Sequence, residues 1–277
     1  MAQNKQGIQV TIGVPVYNGV DLLAATLDNL LAQSYQDFQI FISNNGSTDG
    51  SGAICDAYAA QDERITVFHQ DETTNPTLNF RFVLDQADTP YFMWCAHDDT
   101  RDLDFIEKLV GALDAPENEG AVLAFGDVMQ DIDGEKVPLA LDFVHNDRSM
   151  AYRLYWAAVS PLHHLYGVWR TEALQGIKWS HTNWWHDTPL MMAAELVGDF
   201  VHVPGVTLHY LYNRHYFFDK GASPKQLLMK AGDLVHLIYQ SGRTVARVGG
   251  VWSGFVASGC SFVKVAQQSV GFVRNRL

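Results

Sequence analysis

Short apolar runs alternate with helically spaced stripes through the first half of the chain. β-rich runs fall at Ile8–Val14, Phe38–Ile42, Ile65–Phe68, Tyr91–Cys95 and Ala121–Phe125. Stretches of helical periodicity lie between them at Leu22–Leu31, Ala53–Ala60, Leu78–Leu84 and Phe105–Leu113. Leu22, Leu23, Thr26, Leu27, Leu30 and Leu31, for example, recur on one helical face and read as core. This alternation predicts an α/β fold with a Rossmann-like, mostly parallel central sheet flanked by helices. Ligands of such open sheets gather beyond the carboxyl ends of the strands. That rule singles out four loops, Pro15–Gly19, Ser43–Gly50, His69–Thr77 and Ala96–Asp102, all polar or turn-forming. Further on, Asp131-Ile132-Asp133-Gly134 predicts a tight turn and Val201–Leu211 a further strand. Residues 140–190 are rich in aromatics and histidine without clear periodicity, and Pro224 opens a helical C-terminal tail.

Composition narrows the function classes. The formal charge of −12 over 277 residues opposes nucleic-acid binding, which needs clustered Lys and Arg. The charge is split, however: from Lys225 onward seven basic residues face one acidic residue, Asp233. Met1–Gln9 has no apolar signal core, and three cysteines (Cys55, Cys95, Cys260) show no metal-type spacing. These features predict a reduced, cytoplasmic protein. His163, His164, His181, His186, His209 and His215 form no His-Glu-x-x-His or Cys-His set that would mark zinc.

The densest chemistry is Ala96-His97-Asp98-Asp99-Thr100, where two carboxylates emerge at the end of an apolar strand. A diphosphate held by Mg2+ or Mn2+ needs hard oxygen ligands, and one or two carboxylates suffice when phosphate and water complete the octahedron. One carboxylate of the pair can then hold the metal while the other is free for a ribose hydroxyl, with Asp99 the candidate metal ligand and Asp98 the candidate donor contact. Asp98, Asp99 or Asp102 also suits the N-cap of the following helix.

Three segments together make a more specific signal. Val14-Pro15-Val16-Tyr17-Asn18, Ser43-Asn44-Asn45-Gly46-Ser47-Thr48-Asp49-Gly50 and His97-Asp98-Asp99 resemble, in order and spacing, the family 2 glycosyltransferases of the GT-A fold. The resemblance covers roughly residues 8–215. It implies an inverting, metal-dependent enzyme using a nucleoside diphosphate sugar (UDP-, GDP- or dTDP-linked) and a glycan, lipid-linked or small glycoside acceptor. Pro15 and Tyr17 would line the nucleotide pocket and Arg81 would meet phosphate. The family's two aspartates after the second strand are Asn44 and Asn45 here, so a neutral amide stands where a carboxylate contacts the base. Asn-Asn-Gly-Ser also reads as a plain turn. By position in Asn183–Leu190, Asp187 would be the general base, with Trp184, Trp185 and His186 towards the acceptor. Asp187 followed by Thr188-Pro189 also reads as a helix N-terminus.

The implied organisation is a catalytic domain over 1–222, with a donor half to about 115 and an acceptor half after it, then a basic helical tail over 223–277. Within that tail Val248, Trp252, Phe255, Gly259, Phe262 and Ala266 fall near one helical stripe between basic flanks. Residues 243–266 thus suit a helix lying on an anionic membrane surface, or one packed on the domain or at a homodimer contact. Two rival functions remain open: a sugar nucleotidyltransferase, which the missing Gly-rich triphosphate loop opposes, and a sugar-binding or scaffold protein without turnover.

Overall fold

The computed structural model describes residues 7–139, 146–159, 163–177 and 187–212, with residues 246, 253 and 256–258. The predicted alternation is realised with boundaries moved by a few residues. Strands β1 (Val10–Val16), β2 (Phe38–Asn44), β3 (Ile65–His69) and β4 (Tyr91–Trp94) alternate with helices α1 (Leu23–Leu31), α2 (Ser51–Ala59) and α3 (Pro76–Asp85). After β4 come β5 (Thr100–Arg101), α4 (Phe105–Asp114), β6 (Ala121–Ile132) and β7 (Glu135–Leu139). The later elements are α5 (Met150–Val159), β8 (Val168–Arg170), α6 (Thr171–Gly176), α7 (Asp187–Ala194) and β9 (Asp199–Tyr212).

The sheet runs β3-β2-β1-β4-β8-β6-β9-β5, with β7 paired to β6. β3, β2, β1 and β4 are mutually parallel, whereas β8 joins β4 antiparallel. Alternation along each strand assigns the two faces. Val10, Ile12, Val14, Phe38, Ile40, Ile42 and Met93 enter one core with Leu23, Leu27 and Leu30 of α1 and Phe105, Ile106 and Leu109 of α4. The opposite face is aromatic and meets α3, where Phe68 packs edge-on to Phe82 and Trp94 donates its indole N–H to the Phe80 carbonyl. Both faces are covered, which is why these strands read as continuous apolar runs. Pro15 is tolerated inside β1 because the β4 register stops at Gly13. The Asp131–Gly134 turn closes the β6–β7 hairpin, with Asp133 and Gly134 at φ of 55° and 89°, the positive pair a tight hairpin requires.

By internal contacts the described residues fall into two compact units. One comprises 7–139, 164–175 and 201–212; the other comprises 146–159, 163, 176–177, 187–200 and the described positions beyond 245. In the second unit, Leu154, Ala157 and Ala158 of α5 pack on Met192 of α7. Arg153 clamps this pair: Nε donates to Glu195 at 2.7 Å, Nη1 to Asp199 at 3.2 Å and Nη2 to the Gly198 carbonyl at 2.9 Å. Burial pushes the Glu195 carboxyl up to about 7, against the opposing pull of Arg153. Arg153→Met strands a buried carboxylate, so urea unfolding at pH 8 should show a loss of about 3–5 kcal/mol. The loss should shrink at pH 5, where Glu195 accepts a proton and no bare charge remains.

No helix among the described residues is long and apolar enough to cross a membrane. The expected tail over 223–277, and with it the 243–266 stripe, lies almost wholly outside the described residues.

Candidate active site

Four loops leave the carboxyl ends of β1 to β4, and short polar side chains stitch three of them together. After β1, Asn18 takes φ of 50° and Tyr17 is 46% exposed. Asn18 donates its N–H to Ser47 Oγ (3.0 Å) and accepts from the Thr48 N–H through Oδ1 (2.9 Å). Gly19 donates to Ser51 Oγ (2.9 Å) and Val20 to Asp49 Oδ2 (3.0 Å). The first loop is thereby fastened to the second. Asn45 fastens the second to the third: Oδ1 accepts from the N–H (2.8 Å) and hydroxyl (3.0 Å) of Thr74, and Nδ2 donates to its carbonyl (2.9 Å). Gly46, at φ +65°, sits so near Thr73 that a Cβ would meet Oγ1 at 2.9 Å. The fourth loop closes on the first, since a Cβ on Gly19 would lie 2.2 Å from the His97 ring.

Both candidate amides are therefore engaged within the chain. Asn45 is 2% exposed and Asn44 is 6% exposed. Asn44 Oδ1 accepts from the Ser47 N–H (3.2 Å), and its Nδ2 lies 3.0 Å from His69 Nδ1. Asn79, a third buried amide, pins α3 to β2 by accepting from the Ser43 hydroxyl (2.6 Å) and donating to its carbonyl (3.2 Å). Arg81 lies on α3 and pairs with Asp85 one turn on, at 2.7 Å.

The fourth loop carries the paired carboxylates. Neither caps a helix: α4 begins at Phe105 after Asp104, and Asp98 and Asp99 precede β5. Asp98 is half-buried, while Asp99 is 1% exposed. Asp99 Oδ1 accepts a long bond from the Leu211 N–H (3.4 Å); Oδ2 is buried with no hydrogen-bond partner among the described residues. Burial, and then the neighbouring Asp98 charge, raise the Asp99 carboxyl well above the usual carboxylate range, opposed by Arg101. Arg101 is itself buried, its guanidinium 3.0 Å from Cys95 Sγ and 5.8 Å from the Phe105 ring centre. A dry carboxylate oxygen without a partner is costly unless something else satisfies it.

The donor set at this turn fits a hard divalent cation. Asp98 and Asp99 place carboxylate oxygens at this turn, and among the described residues no group of three or more His, Cys, Asp or Glu could hold a metal. That is the sparse set that suits Mg2+ or Mn2+ when phosphate oxygens and water complete the octahedron. Pattern reading missed the strap beside it. Asp102 accepts from the Thr207 N–H (2.8 Å) and lies 3.0 Å from His209 Nε2, tying the turn to β9. Although burial raises the Asp102 carboxyl, its bonds to His209 and Thr207 hold it below the usual range.

In the second unit, Asp187 is the first residue of α7 and its Oδ1 accepts from the Thr188 N–H at 2.9 Å. The remainder of α7, from Thr188 to Ala194, is buried. His163 of the same unit is half-buried, and desolvation of its ring pushes it down to about 4, outweighing the upward pull of Asp187. Its folded value lies below the unfolded value of 6.5, so its contribution to stability is full above pH 6.5 and is lost as pH falls towards 4. Unfolding of His163→Gln should show a shallower loss of stability across that window than the wild type. The acceptor candidates Trp184, Trp185 and His186 lie outside the described residues, as does His215.

Comparison with known proteins identifies the family and the fold. The model of Glycosyl transferase family 2 matches residues 11–159. The chain belongs to that family. Glycosyltransferase GlyG of Streptococcus pneumoniae is 42% identical over 62 residues, which are 22% of this chain and 21% of that protein. An uncharacterized glycosyltransferase of Rickettsia typhi is 29% identical over 127 residues, 46% of this chain and 38% of that one. The matches thus span well under half of those relatives. Among solved structures, S. aureus TarS 1-349 in complex with UDP superposes with a TM-score of 0.63 at 14% identity, covering 95% of this chain and 92% of that one. The mannosyltransferase PcManGT from Pyrobaculum calidifontis, in complex with GDP-Man and Mn2+, gives 0.56 at 14% identity, covering 96% and 76%. These likenesses define the fold as that of the GT-A glycosyltransferases.

Proposed function

We propose that this chain transfers a sugar from a nucleoside diphosphate sugar to an acceptor hydroxyl, with a divalent cation held at Asp99. The observation that carries this reading is the buried Asp99 Oδ2, without a hydrogen-bond partner among the described residues and adjacent to Asp98 at the edge of β4. In this reading Pro15 and the exposed Tyr17 face the nucleobase and Asp98 takes a ribose hydroxyl. Asn44 and Asn45 serve the donor by shaping the loops, because their side chains are already bonded. Arg81 stays near Asp85, which leaves the cation as the main counter-charge to the phosphates. Mn2+ or Mg2+ bound there would stabilise the charge developing on the departing diphosphate. Asp187 would take the proton of the acceptor hydroxyl as its oxygen attacks the anomeric carbon, and the product would be inverted. UDP and GDP-Man in the neighbours' crystals support a UDP- or GDP-linked donor. The acceptor class is a glycan or lipid-linked sugar of polysaccharide or glycoconjugate synthesis.

The test is a donor-hydrolysis panel. UDP-, GDP- and dTDP-sugars are incubated with the protein with and without Mn2+, and release of nucleoside diphosphate is followed. Metal-dependent release from one donor class supports the reading. Nucleoside diphosphate release equal to a protein-free blank for every donor, with no nucleotide bound, contradicts it.

A further inference from the structure

We propose that His69 is a positioning residue for the donor nucleotide, its unprotonated Nδ1 locking the Asn44 carboxamide and, through it, the turn that carries the Tyr17 loop. The inference rests on the donor-site reading above, and its argument is one of proton counting along a chain of bonds. The Ser47 backbone N–H is a donor and needs an acceptor, so the Asn44 atom 3.2 Å from it is the carbonyl Oδ1. The Asn44 atom 3.0 Å from His69 Nδ1 is then the amide Nδ2, which can only donate. His69 Nδ1 must therefore be bare, and the ring proton sits on Nε2, where Asp56 Oδ1 accepts it at 2.9 Å. One tautomer satisfies every partner.

The order fixed at His69 propagates inward. Asn44 holds the Ser47 N–H, Ser47 Oγ accepts from the Asn18 N–H, and Asn18 follows Tyr17, whose ring is exposed on the donor edge. The Asn44 amide lies close against α2, since a Cβ on Gly52 would lie 3.0 Å from its Nδ2. Asp56 of α2 is the charged group facing the ring, and the Asn44 amide faces it from β2. An aspartate at position 44 would still accept from Ser47 but would need a donor from His69, so both ring nitrogens would have to carry protons. The amide at 44 and the neutral ring at 69 thus form one matched pair.

Two measurements test this on the full chain. The first is the 15N spectrum of ring-labelled histidine at pH 7.5: the inference requires a bare Nδ1 and protonated Nε2 at His69, and Asn44→Asp should move the ring towards double protonation. A protonated Nδ1 in the wild type overturns it. The second is titration of UDP and GDP with Mn2+ into wild type, His69→Phe and His69→Asn, whose folding is checked by thermal melting. His69→Phe leaves a buried amide without its acceptor and should bind about tenfold more weakly. His69→Asn, whose Oδ1 can take the place of Nδ1, should restore binding to within about threefold of wild type. Unchanged affinity in His69→Phe overturns the inference while leaving the donor site intact. Failure of the wild type to bind either nucleotide overturns the donor-site reading and this inference with it.

Discussion

Asp99→Asn will lower donor hydrolysis and transfer by about a thousandfold while leaving the fold as stable as before, or more so. The loss follows from the proposed role of Asp99 as cation ligand, since a metal's electrostatic help to a departing diphosphate amounts to several kcal/mol. The unchanged stability follows from the surroundings of Asp99. It is 1% exposed, its Oδ2 has no hydrogen-bond partner among the described residues, and the adjacent Asp98 repels its charge. A neutral amide of the same shape removes that repulsion. A residue kept for packing would behave in the opposite way, losing stability first and activity only as a consequence. Steady-state donor hydrolysis and a thermal melt on the same preparation separate the two.

Asp187→Asn will reduce kcat by about 10²–10⁴, the range for loss of a general base. Affinity for the nucleoside diphosphate should stay within about threefold, because the substituted residue lies on α7 and not on the loops of the donor edge. Asparagine keeps a side-chain oxygen that can accept from the Thr188 N–H, so the start of α7 stays formed. A fall in kcat with unchanged donor binding therefore isolates the chemistry. Equal turnover by the variant would leave Asp187 only the helix-opening role that its sequence context also suggests.

Periodicity was a good guide wherever one element alone determined the pattern. The apolar runs predicted β1 to β4, β6 and β9, and the stripe Phe105–Leu113 became α4 with the same residues buried. β5 and β8 were illegible because they are two and three residues long, too short to show a period of two. They exist through pairing with strands distant in sequence: Thr100 with His209, and Val168 with Met93. α5 was hidden for a different reason. Its buried Arg153 breaks the apolar stripe, and only Glu195, Asp199 and Gly198, over forty residues on, make that arginine tolerable.

The candidate site divides in the same way. Asp98 and Asp99 stood out because they follow an apolar strand at the edge where open sheets bind ligands, and because the family resemblance falls on the same residues. The capping alternative was equally legible and failed on geometry, since α4 starts six residues after Asp99. Asn44 and Asn45 read as base contacts because the resemblance offered that role. Their amides also hold Ser47, His69 and Thr74, partners that a linear pattern cannot connect. The Asp102–His209 strap was invisible for the same reason.

The most direct test of the central claim is calorimetric titration of UDP and GDP into the wild type and Asp99→Asn, each with and without Mn2+. The account predicts that one nucleotide binds the wild type, that Mn2+ strengthens its binding at least about tenfold, and that the variant loses this gain while retaining its melting temperature. Binding that is indifferent to Mn2+, or a metal-dependent gain undiminished in Asp99→Asn, would contradict it.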